Sequence, residues 1–236
     1  MTNKIIEFIP SSEEVGLVVP APKPAKNYIP DWYKTIPVAN QLKNPSLDES
    51  GALDNATLKM CMPFSDSLTS GYIQETPYDI VIKRQEDGSP YYWYVTQPQI
   101  ISCRTKVSTY ISEEYYQAEF TWLAPWIIKT PPGWSCIITH PFNRQDLPFT
   151  TMTGIIDTDK FHHSPFGATP FNIKASFTGV IPAGTPMYQI IPFERSKWES
   201  QIKPFNEEVH RKKFHILKRK LSGVYMDNMW TKKHYK

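Results

Sequence analysis

Residues Trp126 to Arg195 read WIIKTPPGWSCIITHPFNRQDLPFTTMTGIIDTDKFHHSPFGATPFNIKASFTGVIPAGTPMYQIIPFER. Short apolar runs rich in Ile, Phe and Thr alternate there with Pro and Gly punctuation, the pattern of consecutive β-strands joined by tight turns. The same stretch gathers polar side chains that can do chemistry: His140, Asn143, Arg144, Asp157, Asp159 and Gln189. The residues on its N-terminal side read as strands feeding one core, and those on its C-terminal side read as a helical appendage.

The 236 residues are 40% hydrophobic and 14% aromatic, enough to bury a real core and to exclude wholesale disorder. Prolines number 22 against 10 glycines, which disfavours long helices and suits rigid turns between strands. The fold class expected is therefore all-β, an antiparallel sandwich or barrel-like core. A net charge of +3 does not by itself point to nucleic acid. Charge is unevenly distributed, however: Arg211, Lys212, Lys213, Lys218, Arg219, Lys220, Lys232, Lys233 and Lys236 face a single acid, Asp227, from His210 onward. Such an end either meets an anionic partner or forms a solvated helix face. Cys61, Cys103 and Cys136 are odd in number and have no CxxC spacing, so reduced thiols in a cytoplasmic setting are expected. No apolar run has the length of a signal or membrane segment.

In chain order, Ile5 to Ile9 alternates as a first strand, and VVPAPKPAKNYIPDWYKTIP (Val18 to Pro37) is a proline-rich arm expected to run extended. Pro30 to Tyr33 is suited to one helical turn, with Trp32 as an apolar anchor. Residues Asn40 to Asn55 read as loop. Leu58 to Phe64 is a short apolar run, Asp66 to Gly71 a turn or brief helix, and Tyr78 to Lys83 pairs with Tyr91 to Val95 as a hairpin. Six further strands fall at Ala118–Leu123, Ile127–Thr130, Ser135–Thr139, Gly154–Ile156, Phe171–Phe177 and Met187–Phe193. Beyond Ser196 the period changes: Phe205, Val209, Phe214, Ile216, Leu217 and Leu221 form a helical stripe stopped by Gly223, and a second helix is expected over Met226 to Lys233. The chain thus divides into an arm (1–57), a β core (58–195) and a basic helical end (196–236).

Asp157 and Asp159 flank Thr158 and would share one side of an extended strand. Two such carboxylates allow a divalent cation, with His162 of the His162-His163 pair and His140 as further ligands, or they divide their pKa values for acid–base work. The plainer alternative is that Asp-Thr-Asp caps a turn. His140, Asn143 and Arg144 are suited to clamping a carboxylate or phosphate through the arginine fork, unless Arg144 is engaged by Asp146. The pattern requires no cofactor.

The Gly154-Ile155-Ile156-Asp157 segment, the later Gly184-Thr185-Pro186-Met187-Tyr188-Gln189 segment and the upstream Pro131-Pro132-Gly133 step resemble the deoxyuridine triphosphatase and deoxycytidine triphosphate deaminase superfamily, of β-clip fold. The resemblance covers Ile128 to Phe193. It implies that Asp157 holds a deoxyribose or positions water, that Gln189 contacts phosphate or frames a pocket and that Gly184 makes a turn. The family's Tyr-Arg-Gly is here Phe161-His162-His163, its Arg-Ser-Ser is replaced by His140 to Arg144, and a glycine-rich phosphate lid is missing. The runs IIKTPPGWSCIITHPFNR and GTPMYQIIPFER also resemble an uncharacterised family of tailed phages and bacteria.

Three functions are compatible with these residues. One is a structural or interaction protein whose β core has lost its catalytic set, contacting partners or its own copies through the arm and the basic helices. Another is a nucleotide-directed or metal-dependent enzyme, which needs Asp157, Arg144 and His140 to converge in one open pocket. The last is a ligand- or metal-binding module without turnover. The first is the reading the missing motifs favour.

Overall fold

Among the described residues, fourteen strands in four antiparallel sheets make up most of the regular structure. The computed structural model describes residues 4–40, 56–93, 97–104, 110–161, 167–211 and 224–236. The hydrophobic stripe Phe214 to Leu221 with its Gly223 stop, His162-His163, most of the Asn40–Asn55 loop, the end of the Tyr91–Val95 strand and the lysines between Lys212 and Lys220 lie outside the described residues. Two compact units are formed. One comprises Met1–Tyr28, Ser70–Arg195 and Tyr235–Lys236; the other comprises Ile29–Thr69 and Ser196–His234.

In the first unit the strands are β1 (Glu7–Pro10), β2 (Lys23–Pro24), β3 (Tyr72–Glu75), β4 (Ile80–Arg84), β5 (Pro90–Trp93), β6 (Ile101–Arg104) and β7 (Glu119–Leu123). They continue with β8 (Trp126–Lys129), β9 (Trp134–Thr139), β10 (Phe149–Thr151), β11 (Gly154–Ile156), β12 (Ala168–Ile173), β13 (Gly179–Ile181) and β14 (Pro186–Glu194). The sheets run β11-β9-β14-β3-β2, β10-β12-β7-β6, β13-β4-β5 and β1-β8, and none closes into a barrel among the described residues. The all-β expectation therefore holds, in its open-sheet form.

The inner faces of the three larger sheets share one core. Alternation explains which side chains enter it: Phe120 and Trp122 of β7 and Phe171 and Ile173 of β12 are fully buried, while their neighbours Thr121 and Asn172 face the other way. Trp122 stacks on Phe171 with centroids 3.7 Å apart, and Phe149 meets both rings edge-on. The indole Nε1 of Trp122 donates to Thr151 Oγ1 (3.2 Å), which donates to the Met187 carbonyl (2.7 Å), so this buried polar chain joins two sheets.

The arm from Val18 to Pro37 divides at Tyr28. Its first part adds an edge strand to the five-stranded sheet, Lys23 opposite Ile73 and Pro24 opposite Tyr72, and buries Val19, Pro22 and Ala25. Proline is accommodated there because an edge strand needs only one set of ladder bonds. Five strands (β2, β3, β6, β10 and β13) were not expected from the sequence; each is two to four residues long and too short to show a period.

In the second unit, an α-helix over Asp31–Thr35 begins after Pro30, which sits where a helix tolerates proline. The Leu58–Phe64 run, assigned from sequence to the β core, instead forms a 3-10 turn (Leu58–Met60) and the start of a second helix (Met62–Thr69). Thr57 caps the turn through its hydroxyl, and Pro63 lies in the first helical turn where its missing N–H costs nothing. Tyr33 stacks on Phe64 at 5.6 Å with Trp32 edge-on to both. Trp230 Nε1 and Lys233 Nζ both donate to Asp66. The last helix spans Val224–Asn228 rather than reaching Lys233.

Candidate functional site

Strand β9 organises the polar residues, because β11 and β14 flank it on either side. At its start the Pro131-Pro132-Gly133 step turns with Gly133 at φ +86°, a backbone that glycine adopts without strain. Antiparallel pairing places Ile156 opposite Cys136 and Glu194 opposite Trp134, so the residues that leave β11 and β14 arrive at this turn together. Those residues are Asp157, Thr158 and Asp159 on one side and Arg195 on the other.

The Arg195 guanidinium is the hub. Its Nη1 donates to Asp159 Oδ1 (2.9 Å), Ser135 Oγ (2.9 Å) and the Trp134 carbonyl (3.0 Å), it lies 3.1 Å from Asp157 Oδ1, and its Nη2 donates to Asp159 Oδ2. Gly133 N donates to Asp159 Oδ2 (2.8 Å) and Ser135 Oγ donates to Asp157 Oδ1 (2.7 Å). Beneath them Thr130 and Thr158 share a hydroxyl–hydroxyl bond of 2.7 Å, and Thr158 reaches the buried Cys136 sulfur, whose pKa burial pushes up to about 11. The Asp159 side chain is only 6% exposed, that of Asp157 53%.

This arrangement corrects the strand geometry expected for the two aspartates. The strand ends at Ile156, and Asp157 to Lys160 form a turn closed by Phe161 N donating to the Asp157 carbonyl (2.8 Å). The cation between the carboxylates is the protein's own guanidinium. The Arg195 bonds hold the Asp159 carboxyl down to about 2, and the Ser135 hydroxyl with Arg195 holds Asp157 below its ordinary value. A general base near neutrality needs the opposite shift. Among the described residues no three His, Cys, Asp or Glu side chains are grouped to hold a metal, and His162 lies outside them.

At the other end of β9, about 16 Å along the strand at ~3.3 Å per residue, stand His140, Asn143, Arg144 and Gln189. His140 Nδ1 accepts from Thr151 N (3.2 Å), a bond that needs the neutral ring and leaves Nε2 to donate to the Arg144 carbonyl (3.0 Å). Burial lowers its pKa accordingly. Arg144 turns its fork onto Asp146 (2.8–3.1 Å) and its remaining nitrogen toward the Tyr28 carbonyl (3.3 Å), the alternative the sequence had offered. Asn143 occupies the left-handed region at φ +60° on the exposed turn between them. Buried Gln189 accepts from Phe142 N (2.8 Å) and donates to the Ser70 carbonyl (2.6 Å), which makes it a strut between loops. Gly184 makes the turn before β14 at φ +80°, donating to the Thr76 carbonyl (2.8 Å).

Asp157 on the one hand and His140 with Arg144 on the other thus have separate partners at opposite ends of one strand. Sequence reading missed Arg195 and Ser135, whose only signal is register: each becomes a neighbour of the aspartates once β11, β9 and β14 are paired; it also missed Thr130, which bonds Thr158 between them. No helix among the described residues is long and apolar enough to cross a membrane. Comparisons of the chain with protein-family models, with curated proteins and with solved structures find no match.

Proposed function

We propose that the protein acts by binding rather than by turnover, as a structural or interaction protein of the phage type that its central motifs resemble, and that it associates through residues 196–209. The observation that carries this reading is the exposure of Trp198 (88%), Ile202 (99%) and Phe205 (76%) on a stretch without regular structure. Large apolar side chains in water at this density favour burial against a partner, each worth about 1.5–3 kcal/mol when covered. Lys197, Glu199, Lys203, Glu207 and Glu208 mix both signs around them, so the contact is apolar rather than electrostatic. A second copy of the chain offers the same stretch, and a self-complementary patch suits a two-fold pair. Asn206 supports the geometry: its side chain caps the next helical turn, accepting from Val209 N (3.0 Å), and thereby fixes where the extended part ends.

The proline-rich arm contributes less to this role, because its Val19-to-Ala25 part is already buried in its own sheet. Internal satisfaction of Arg144, Gln189 and Arg195 supports the absence of a nucleotide cradle. A thermal-shift screen of deoxynucleotides and divalent ions tests this directly: no concentration-dependent rise in melting temperature is expected. A saturable rise with a deoxynucleoside triphosphate, lost in Asp157→Asn, would overturn the reading in favour of an enzyme.

A further inference from the structure

We infer that the outer face of the β10-β12-β7-β6 sheet carries a binding groove for a neutral saccharide. The groove has a volume of about 430 Å³, within the range of small-molecule sites, roughly 300–1,000 Å³. Its floor is set by alternation. With Phe120, Trp122, Phe171 and Ile173 turned into the core, Thr121 and Asn172 face outward, and Ser102 stands directly opposite Thr121.

The half-buried hydroxyls of Thr150 and Thr185 in this unit are bonded to the Tyr115 hydroxyl and the Pro182 carbonyl. Ser102 Oγ, Thr121 Oγ1 and the Asn172 amide are half-buried, line the groove and have no hydrogen-bond partner among the described residues. Each of these groups both donates and accepts, which matches the vicinal hydroxyls of a sugar ring. Leu123 and Met152 add apolar wall for its C–H faces. Among the described lining residues the charges cancel, since Arg104 lies opposite Glu119 in the register, and this favours neither a phosphate nor a carboxylate. A second groove of about 380 Å³ lacks this character, since Lys174 there is bonded to the Gln145 carbonyl and Thr185 to the Pro182 carbonyl.

The test is saturation-transfer NMR on the full chain with glucose, N-acetylglucosamine, maltose and diacetylchitobiose, and with glucose 6-phosphate and inorganic phosphate as the anionic arm. At least one neutral sugar is expected to receive saturation. Thr121→Val and Asn172→Leu should each weaken its binding about 3- to 10-fold, the loss of one hydrogen bond. Both side chains face away from the core, so the melting temperature should hold, and Thr121→Ser should restore binding. Saturation of none of the four neutral sugars, or only of the phosphate-bearing probes, would overturn the inference. So would sugar binding that neither substitution weakens.

Discussion

Replacing Arg195 with alanine leaves Asp159, nearly enclosed, beside Asp157 with no cation between them. The consequence is readable as a pH profile of thermal unfolding taken downward from about pH 7. Two losses should separate. His140 has its pKa lowered by burial from an ordinary 6.5, so the unfolded chain takes up that proton first. Its stabilisation is therefore full above 6.5 and declines as the pH falls below it; His140→Gln should remove this first step. Asp159 is held down from 3.8 to about 2 by Arg195, so its stabilisation is full above 3.8 and is lost as the pH falls through about 2. Arg195→Ala should shrink this second step to what the Gly133 N–H bond still holds and lower the melting temperature near neutrality, whereas Arg195→Lys should keep more of both. Gln189→Leu makes a separate statement. It strands Phe142 N–H and the Ser70 carbonyl, and should destabilise by about 2–4 kcal/mol in denaturant unfolding, as a strut would and a surface-facing ligand group would not.

Residue types at the site were legible in the sequence, but their partners were not. Asp157, Asp159, His140 and Arg144 stand out because carboxylates, imidazole and guanidinium carry chemistry wherever they fall. That Arg195 belongs with the aspartates is a property of strand register, 36 to 38 residues away in sequence. The Arg144–Asp146 pair was readable because it is local, two residues apart, and needs only a turn.

At the scale of elements, strands carried by an apolar run between Pro and Gly punctuation were legible, even the three-residue β11, and five strands of two to four residues were not. Strands β7, β8, β9, β11 and β14 fall close to where apolar period and Pro-Gly punctuation put them. Tyr72–Glu75 escaped because four residues flanked by partners on both sides are buried throughout most of their length and show no alternation. Gly71, just before it, is the device that lets β3 enter between β14 and β2. It sits at φ +71°, and a Cβ there would lie 2.1 Å from the Ile190 carbonyl oxygen. Gly71→Ala should therefore cost about 2–4 kcal/mol in equilibrium unfolding, far above a surface substitution. A near-neutral effect would mean that β3 and β14 are not paired in this register.

At the scale of the whole molecule, the chain combines a β unit whose polar groups are largely satisfied from within and a stretch whose apolar groups are not satisfied at all. Composition foresaw the β unit, through prolines, aromatics and few glycines, but not that its polar groups are satisfied from within. Nor could it foresee the exposed apolar stretch, since Trp198 and Phe205 are the residue types that normally anchor a helix in a core. The measurement that decides the matter is sedimentation velocity of the full chain from dilute to concentrated protein, beside the variant Trp198→Ser/Ile202→Ser/Phe205→Ser. The natural chain is expected to associate as its concentration rises, and the triple variant to lose that association while its circular dichroism stays the same. Two chains that sediment alike as monomers at every concentration would contradict association through this stretch.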